Sequence, residues 1–140
     1  MPSKTRVLVV DDEKELLGTV KRILKIEGID AQTAEGPFEA LEILAESGFD
    51  VVITDIRMPK MDGVRLISRI KELYPMTQVM ILTGYSNMGY LVDCFGAGAV
   101  DFFGKPLRNH EKFVTAVIQA LEKASRWREG ISVSYAGVGG

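Results

Sequence analysis

The sequence predicts an α/β domain: a doubly wound, five-stranded parallel sheet covered by five helices. Three observations carry the prediction. Five short apolar runs alternate strictly with five longer segments whose apolar residues recur at helical spacing, the pattern that strand–helix–strand units leave in a sequence. The runs are continuously apolar, as strands buried on both faces of a parallel sheet must be. A length of 140 residues suits one domain with a single core.

The first run, "RVLVV" (6–10), is the first strand. In the segment after it, Leu16, Leu17, Val20, Ile23 and Leu24 lie on one helix face, and Gly28 is a natural stop. "IDAQTA" (29–34) is a weaker strand, and "PFEALEILAESG" (37–48) a helix with Pro37 in its first turn and Gly48 after its end. "DVVIT" (50–54) is the third strand, "GVRLISRIKELY" (63–74) a helix ended by Pro75, and "TQVMILT" (77–83) the fourth strand. "SNMGYLVDCFGAG" (86–98) is a weak helix, because Gly89 and Gly96 each cost about 1 kcal/mol relative to Ala in a helix interior. Its spacing places Met88, Leu91, Val92 and Phe95 toward the sheet, with Gly89, Tyr90, Asp93, Gly96 and Ala97 outward. "AVDFF" (99–103) is the fifth strand, and "NHEKFVTAVIQALEKASRWR" (109–128) the last helix. The residues after it, with four glycines and no charge in "GISVSYAGVGG" (130–140), read as a flexible tail or linker remnant, or as a short strand through Ile131, Val133 and Tyr135.

Composition narrows the function. A hydrophobic share of 46% with 26% charged residues is ordinary for a globular domain. The 17 Lys+Arg against 19 Asp+Glu, net charge -2, form no basic tract, so direct nucleic-acid binding is not expected. The apolar strings are a few residues long, far below the roughly 20 that span a bilayer, and no membrane span is expected. The N-terminal run ends at Asp11 and Asp12 instead of a small-residue cleavage site, unlike a signal peptide. The single cysteine, Cys94, cannot form an internal disulfide, which fits a cytoplasmic location.

In an open parallel sheet, ligands bind beyond the carboxyl ends of the strands. Asp11 and Asp12 follow the first strand, Asp55 the third, Thr83 ends the fourth, and Lys105 with Pro106 follows the fifth. Any one of these alone reads first as a turn residue or a helix cap; all five at one rim point to a site. Three clustered carboxylates repel one another unless a cation offsets them. All-oxygen ligands with no His or Cys cluster favour Mg²⁺ over zinc. An ammonium and a hydroxyl beside a metal suit a phosphoryl group, and a carboxylate can act as the nucleophile that accepts it. Asp55, on a central strand end, is the better nucleophile, leaving Asp11 and Asp12 for the metal.

Over about residues 4–128 the sequence resembles the receiver domain of two-component response regulators, through "VLVVDDE", "DVVITDIRMPKMDG", "ILTG" and "DFFGKP" in order. The wording "TDIRMPKMDG" and "LTGYS" looks most like receivers of σ54-dependent transcriptional activators. The resemblance implies the flavodoxin-like strand order 2-1-3-4-5 and a receiver domain at 4–128, followed by a tail or linker remnant at 129–140. It implies that Asp55 accepts a phosphoryl group from a histidine kinase or phosphotransfer protein. Mg²⁺ would be held by Asp11, Asp12, Asp55 and the backbone carbonyl of Arg57. Lys105 would contact the phosphoryl oxygen or Asp55. Thr83 would move toward the phosphoryl group and Phe102 would turn inward behind it, remodelling the face made by helix 4, strand 5 and helix 5. The Lys105–Pro106 bond is expected to be cis.

Arg57 and Tyr85, two residues after Asp55 and Thr83, are expected to shield the phosphoryl group from water and slow its hydrolysis. The nearly uncharged fourth helix is either a mobile element or a docking surface, through Tyr90, Asp93 and Ala97, for a second copy or a downstream protein. The implied activity is a switch that aids its own phosphorylation and dephosphorylation, without independent turnover. Two other readings stand beside it. A metal-dependent phosphatase with an Asp nucleophile would want a carboxylate two residues beyond it, where Arg57 stands. A phosphorylation-independent interaction module would need none of the rim chemistry. The chain is either a stand-alone regulator or one part of a longer protein.

Overall fold

The computed structural model describes residues 6–85 and 87–139, with 132–139 described by backbone alone. The expected domain start at residue 4 and the side chains of Val133 and Tyr135 lie outside the described residues. The elements run β1 (Val7–Val10), α1 (Lys14–Ile26), β2 (Ala31–Ala34), α2 (Pro37–Glu46), β3 (Val51–Thr54), β4 (Arg57–Met58), β5 (Met61–Asp62), α3 (Gly63–Leu73), β6 (Gln78–Thr83), α4 (Met88–Ala97), β7 (Ala99–Gly104) and α5 (His110–Gly139). Five parallel strands form one sheet in the order β2-β1-β3-β6-β7. Without the small β4–β5 ladder, which pairs only with itself, this is the expected 2-1-3-4-5 order.

Alternate residues of each central strand enter opposite halves of the core. Val7, Val9, Ile53, Met80 and Leu82 pack under α1 and α5, with Phe113 at the centre. Leu8, Val10, Val52, Val79 and Ile81 pack under α2, α3 and α4. Because both faces are covered, β1, β3 and β6 are buried along their whole length, and each Val, Leu or Ile so buried contributes about 1.5–3 kcal/mol. The edge strand β7 is half open, and Val100 is the extra residue of a bulge: Ala99 pairs with Val79 and Asp101 with Met80.

Local chemistry sets the boundaries of the first four helices. Gly28 takes a positive φ of 78° after α1, and Pro37 opens α2. Asp62 caps α3 by accepting a bond from the Arg65 amide at 2.9 Å. Asn87 does the same for α4 from the Tyr90 amide at 2.9 Å. Gly98 ends α4 with φ 125°, where a Cβ would stand 2.7 Å from Lys71 Cγ.

Two expectations are corrected. α4 is rotated by about one residue, roughly 100°, from the orientation its apolar spacing predicts. Leu91 and Cys94 are its buried residues, with Tyr90 and Ala97 partly buried against the same core, while Met88, Val92 and Phe95 are exposed at 72%, 59% and 42%. The small Cys94 and Ala97 let the helix approach closely, and the Tyr90 hydroxyl finds polar partners inside, so shape and hydrogen bonding outweigh side-chain hydrophobicity. Tyr90 and Ala97 are therefore not the outward residues expected; Asp93 is exposed as expected. The segment after residue 128 is not the short strand that its alternation allowed, since α5 continues to Gly139; extending an existing helix adds a hydrogen bond per residue without a new nucleation cost.

Candidate functional site

Strand register assembles the rim. Val10 pairs with Thr54, so Asp11 and Asp55, the next residues of neighbouring strands, emerge side by side. Thr83 pairs with Gly104, and the Lys105 amide extends that ladder by donating to the Thr83 carbonyl at 2.9 Å. The Lys105–Pro106 peptide is cis. The side chains converge across these registers on a cleft of about 580 Å³ lined by Asp12, Asp55, Arg57, Thr83, Tyr85 and Lys105 among others.

Asp55 is 6% exposed and fully engaged. Its Oδ1 accepts from the Thr83 hydroxyl at 2.5 Å, the Ile56 amide at 2.7 Å and the Arg57 amide at 3.1 Å. Its Oδ2 accepts from Lys105 Nζ at 2.7 Å, and the same ammonium stands 2.7 Å from Asp11 Oδ2. Asp11, also buried, accepts the Glu13 amide on Oδ1 at 2.9 Å. Carboxylate oxygens of Asp11, Asp12 and Asp55 lie within 4.8 Å of one another. Burial raises the Asp11 pKa, and the Asp55 charge adds to it, against the opposing effect of Lys105 and the Glu13 amide. Burial alone would lower that of Lys105, but its bonds to Asp11 and Asp55 and their charges outweigh burial and hold it firmly protonated. One half-buried ammonium between two buried carboxylates, with a third carboxylate open to solvent, leaves surplus negative charge. Three oxygen ligands of that kind fit a hard divalent cation that keeps several waters.

The profile of the response regulator receiver domain matches residues 7–118. The chain belongs to that family. In sequence the receiver is 40% identical over 100 residues to the DNA-binding transcriptional regulator NtrC of Escherichia coli, covering 71% of this chain and 21% of that protein. It is 36% identical over 129 residues to an NtrX-like response regulator of Rickettsia bellii, covering 91% and 27%. The receiver thus spans about a quarter of the length of these curated relatives. The solution structure of the beryllofluoride-activated NtrC4 receiver domain dimer aligns with a TM-score of 0.80 at 36% identity, over 86% of this chain and 99% of that one. A CheY-like receiver of Methanospirillum hungatei aligns with a TM-score of 0.82 at 28% identity, over 89% and 98%. Membership makes the receiver a domain of phosphorylation-controlled two-component signalling.

Of the expected site residues, the receiver brings Asp11, Asp12, Asp55, Thr83 and Lys105 together. Arg57 and Tyr85 meet at the cleft's edge, the guanidinium lying 4.8 Å from the Tyr85 ring centroid. Phe102 is half-buried, packed on the core beside α4. Asp93 lies on the exposed face of α4, away from this rim. Two contributors were not foreseen. Glu13 reaches to 3.6 Å from Lys105 Nζ; its place directly after Asp11 and Asp12 was the available signal. Tyr90 accepts from the Gly63 amide at 2.7 Å and the Val64 amide at 3.4 Å, and donates to the Ile56 carbonyl at 3.4 Å. No sequence signal foretold those contacts, because they join residues 26–34 positions apart.

Proposed function

We propose that this receiver is a switch in which Asp55 accepts a phosphoryl group from the phosphohistidine of a histidine kinase or phosphotransfer protein. The observation that carries the reading is the Asp55 environment: a buried carboxylate held by two backbone amides, one hydroxyl and one ammonium at a cleft. A carboxylate oxygen of Asp55 attacks phosphorus, a P–O bond forms, the P–N bond breaks, and the imidazole leaves with its electron pair. Lys105 offsets charge on the transferring group and holds Asp55 in place; the Thr83 hydroxyl, already on Asp55, is in reach of a phosphoryl oxygen there. Asp11, Asp12, Asp55 and the Arg57 carbonyl would hold Mg²⁺, which when bound neutralises phosphoryl charge. Hydrolysis of the aspartyl phosphate resets the switch, and the Arg57–Tyr85 stack shields it from water. The receiver domain comprises 4–128 and works in the cytoplasm; among the described residues no helix is long and apolar enough to cross a membrane.

Output is read from the α4–β7–α5 face as Thr83 and Phe102 shift. The exposed Met88, Val92 and Phe95 follow helical spacing on that face, so the apolar docking surface consists of these residues around Asp93 and excludes the inward Tyr90 and Ala97. A second copy of the chain is its proposed occupant, supported by the likeness to a receiver whose beryllofluoride-activated form is a dimer.

The deciding experiment is intact-mass measurement after incubation with Mg²⁺ and acetyl phosphate. Wild type gains one phosphoryl mass and Asp55→Asn gains none. A wild type without that mass would return the chain to the interaction-module reading.

A further inference from the structure

One peptide plane joins Asp55 to α4. The amide of the Ile56–Arg57 peptide donates to Asp55 Oδ1 at 3.1 Å. The carbonyl of the same peptide accepts from the Gly63 amide at 3.1 Å and from the Tyr90 hydroxyl at 3.4 Å. A peptide unit is rigid and planar, so a tilt imposed at its N–H end is delivered at its oxygen.

The oxygen end is a tight junction. Ile56 and Gly63 close the base of the loop that carries β4 and β5, and a Cβ on Gly63 would stand 2.6 Å from the Ile56 Cα. Only glycine permits this approach. Into the closure the Tyr90 hydroxyl inserts from α4, 2.7 Å from the Gly63 nitrogen. Burial raises the Tyr90 pKa, against its bonds from Val64 and Gly63, so the phenol keeps its proton for the Ile56 carbonyl. The Tyr90 ring meets Tyr85 edge-on at 5.6 Å, and Arg57 covers the other ring. The first residues of α4 are thus held to both loops flanking Asp55, while the helix has no charged residue other than Asp93 to anchor it elsewhere.

We propose that Tyr90 is a positioning residue whose hydroxyl clamps the Ile56–Gly63 loop base and thereby ties the seating of α4 to the state of Asp55. In calling one seating the resting one, the proposal rests on Asp55 as phosphoacceptor. When Asp55 Oδ1 is derivatised or drawn toward a metal, the Ile56–Arg57 plane turns, the Tyr90 contact is lost and α4 loosens.

Cys94 supplies the readout, since it is fully buried on the inner face of α4 and becomes accessible when that helix lifts. Native wild type and Tyr90→Phe, which keeps the ring and removes the oxygen, are treated with iodoacetamide with and without Mg²⁺ and acetyl phosphate. Amide exchange of β1 and β3 is followed alongside. In wild type the phosphodonor accelerates Cys94 labelling. In Tyr90→Phe labelling is already about 3- to 10-fold faster without donor, the equivalent of one net hydrogen bond, and the donor adds little. Unchanged labelling in donor-free Tyr90→Phe overturns the proposal. So does an equal acceleration of β1 and β3 exchange, which would mean that the hydroxyl stabilises the whole fold without seating α4, and so does a donor response as large in the variant as in wild type. Phosphoryl mass is recorded in the same samples. Its absence from both proteins removes the phosphoacceptor reading and the link to Asp55, while the donor-free comparison still decides whether Tyr90 seats α4.

Discussion

Asp55 and Asp50 bracket the same strand, yet their surroundings assign them opposite tasks. Asp55 faces a cleft and a shared ammonium; Asp50 is closed off by Arg6 and by Arg128 at 2.5 Å. Around Asp55, bulk controls water. Replacing Tyr85 with Ala removes one side of the Arg57 stack, and phosphoryl loss is expected to accelerate by about threefold or more, equivalent to about 0.7 kcal/mol; phosphate-release assays on the loaded protein measure it. A decay rate equal to wild type ends the shielding idea. Cys94 gives a pH prediction of its own. Burial, with the charges of Asp93 and Asp62, pushes its thiol up to about 11. A folded pKa above the unfolded one means that the native state keeps its proton longer, so stability declines as pH rises past about 9. Urea unfolding should show about 1–2 kcal/mol less stability at pH 10.5 than at pH 8, and Cys94→Ala should lose most of that slope.

Among the elements, α4 departs furthest from its sequence pattern. Four apolar residues suggested an inward stripe, but only Leu91 of that stripe is buried. Helical spacing identifies residues that share a face; it does not reveal which face the neighbouring strand and helix can accommodate. Here the flat surface of Cys94 and Ala97 fits against the sheet, and the bulkier Met88, Val92 and Phe95 remain outside. If that outer face binds a second copy, Val92→Asp should leave phosphoryl uptake intact and abolish beryllofluoride-induced dimerisation, as read by sedimentation velocity. Monomeric wild type under beryllofluoride would remove the second copy as occupant. The helices whose caps and stops are local, α1 to α3, start and end close to where the sequence places them, because Gly28, Pro37 and Asp62 act within one turn.

At the scale of the molecule, chemistry and fastening occupy opposite rims of one sheet. The carboxyl rim collects Asp11, Asp55, Thr83 and Lys105; the amino rim is tied down by Asp50. Arg6 bonds Asp50, the Leu121 carbonyl and the Ser125 hydroxyl at once, linking β1 and β3 to the middle of α5. Asp50→Asn keeps the shape and removes the charge, and should lower stability by about 2 kcal/mol in urea unfolding while phosphoryl uptake is unchanged. A variant as stable as wild type would show this rim to be incidental.

By itself the sequence determined the alternation of strands and helices, the buried character of the sheet and the convergence of Asp11, Asp12, Asp55, Thr83 and Lys105 on one edge. Those outcomes follow from local periodicity and from the regular advance of parallel strands, which brings every strand end to the same rim. Only the tertiary structure decided the rotation of α4, the insertion of Tyr90 between Ile56 and Gly63, and the place of Glu13 beside Lys105. Each of these depends on how surfaces distant in sequence fit together, with close packing and the pairing of buried polar groups selecting the orientation.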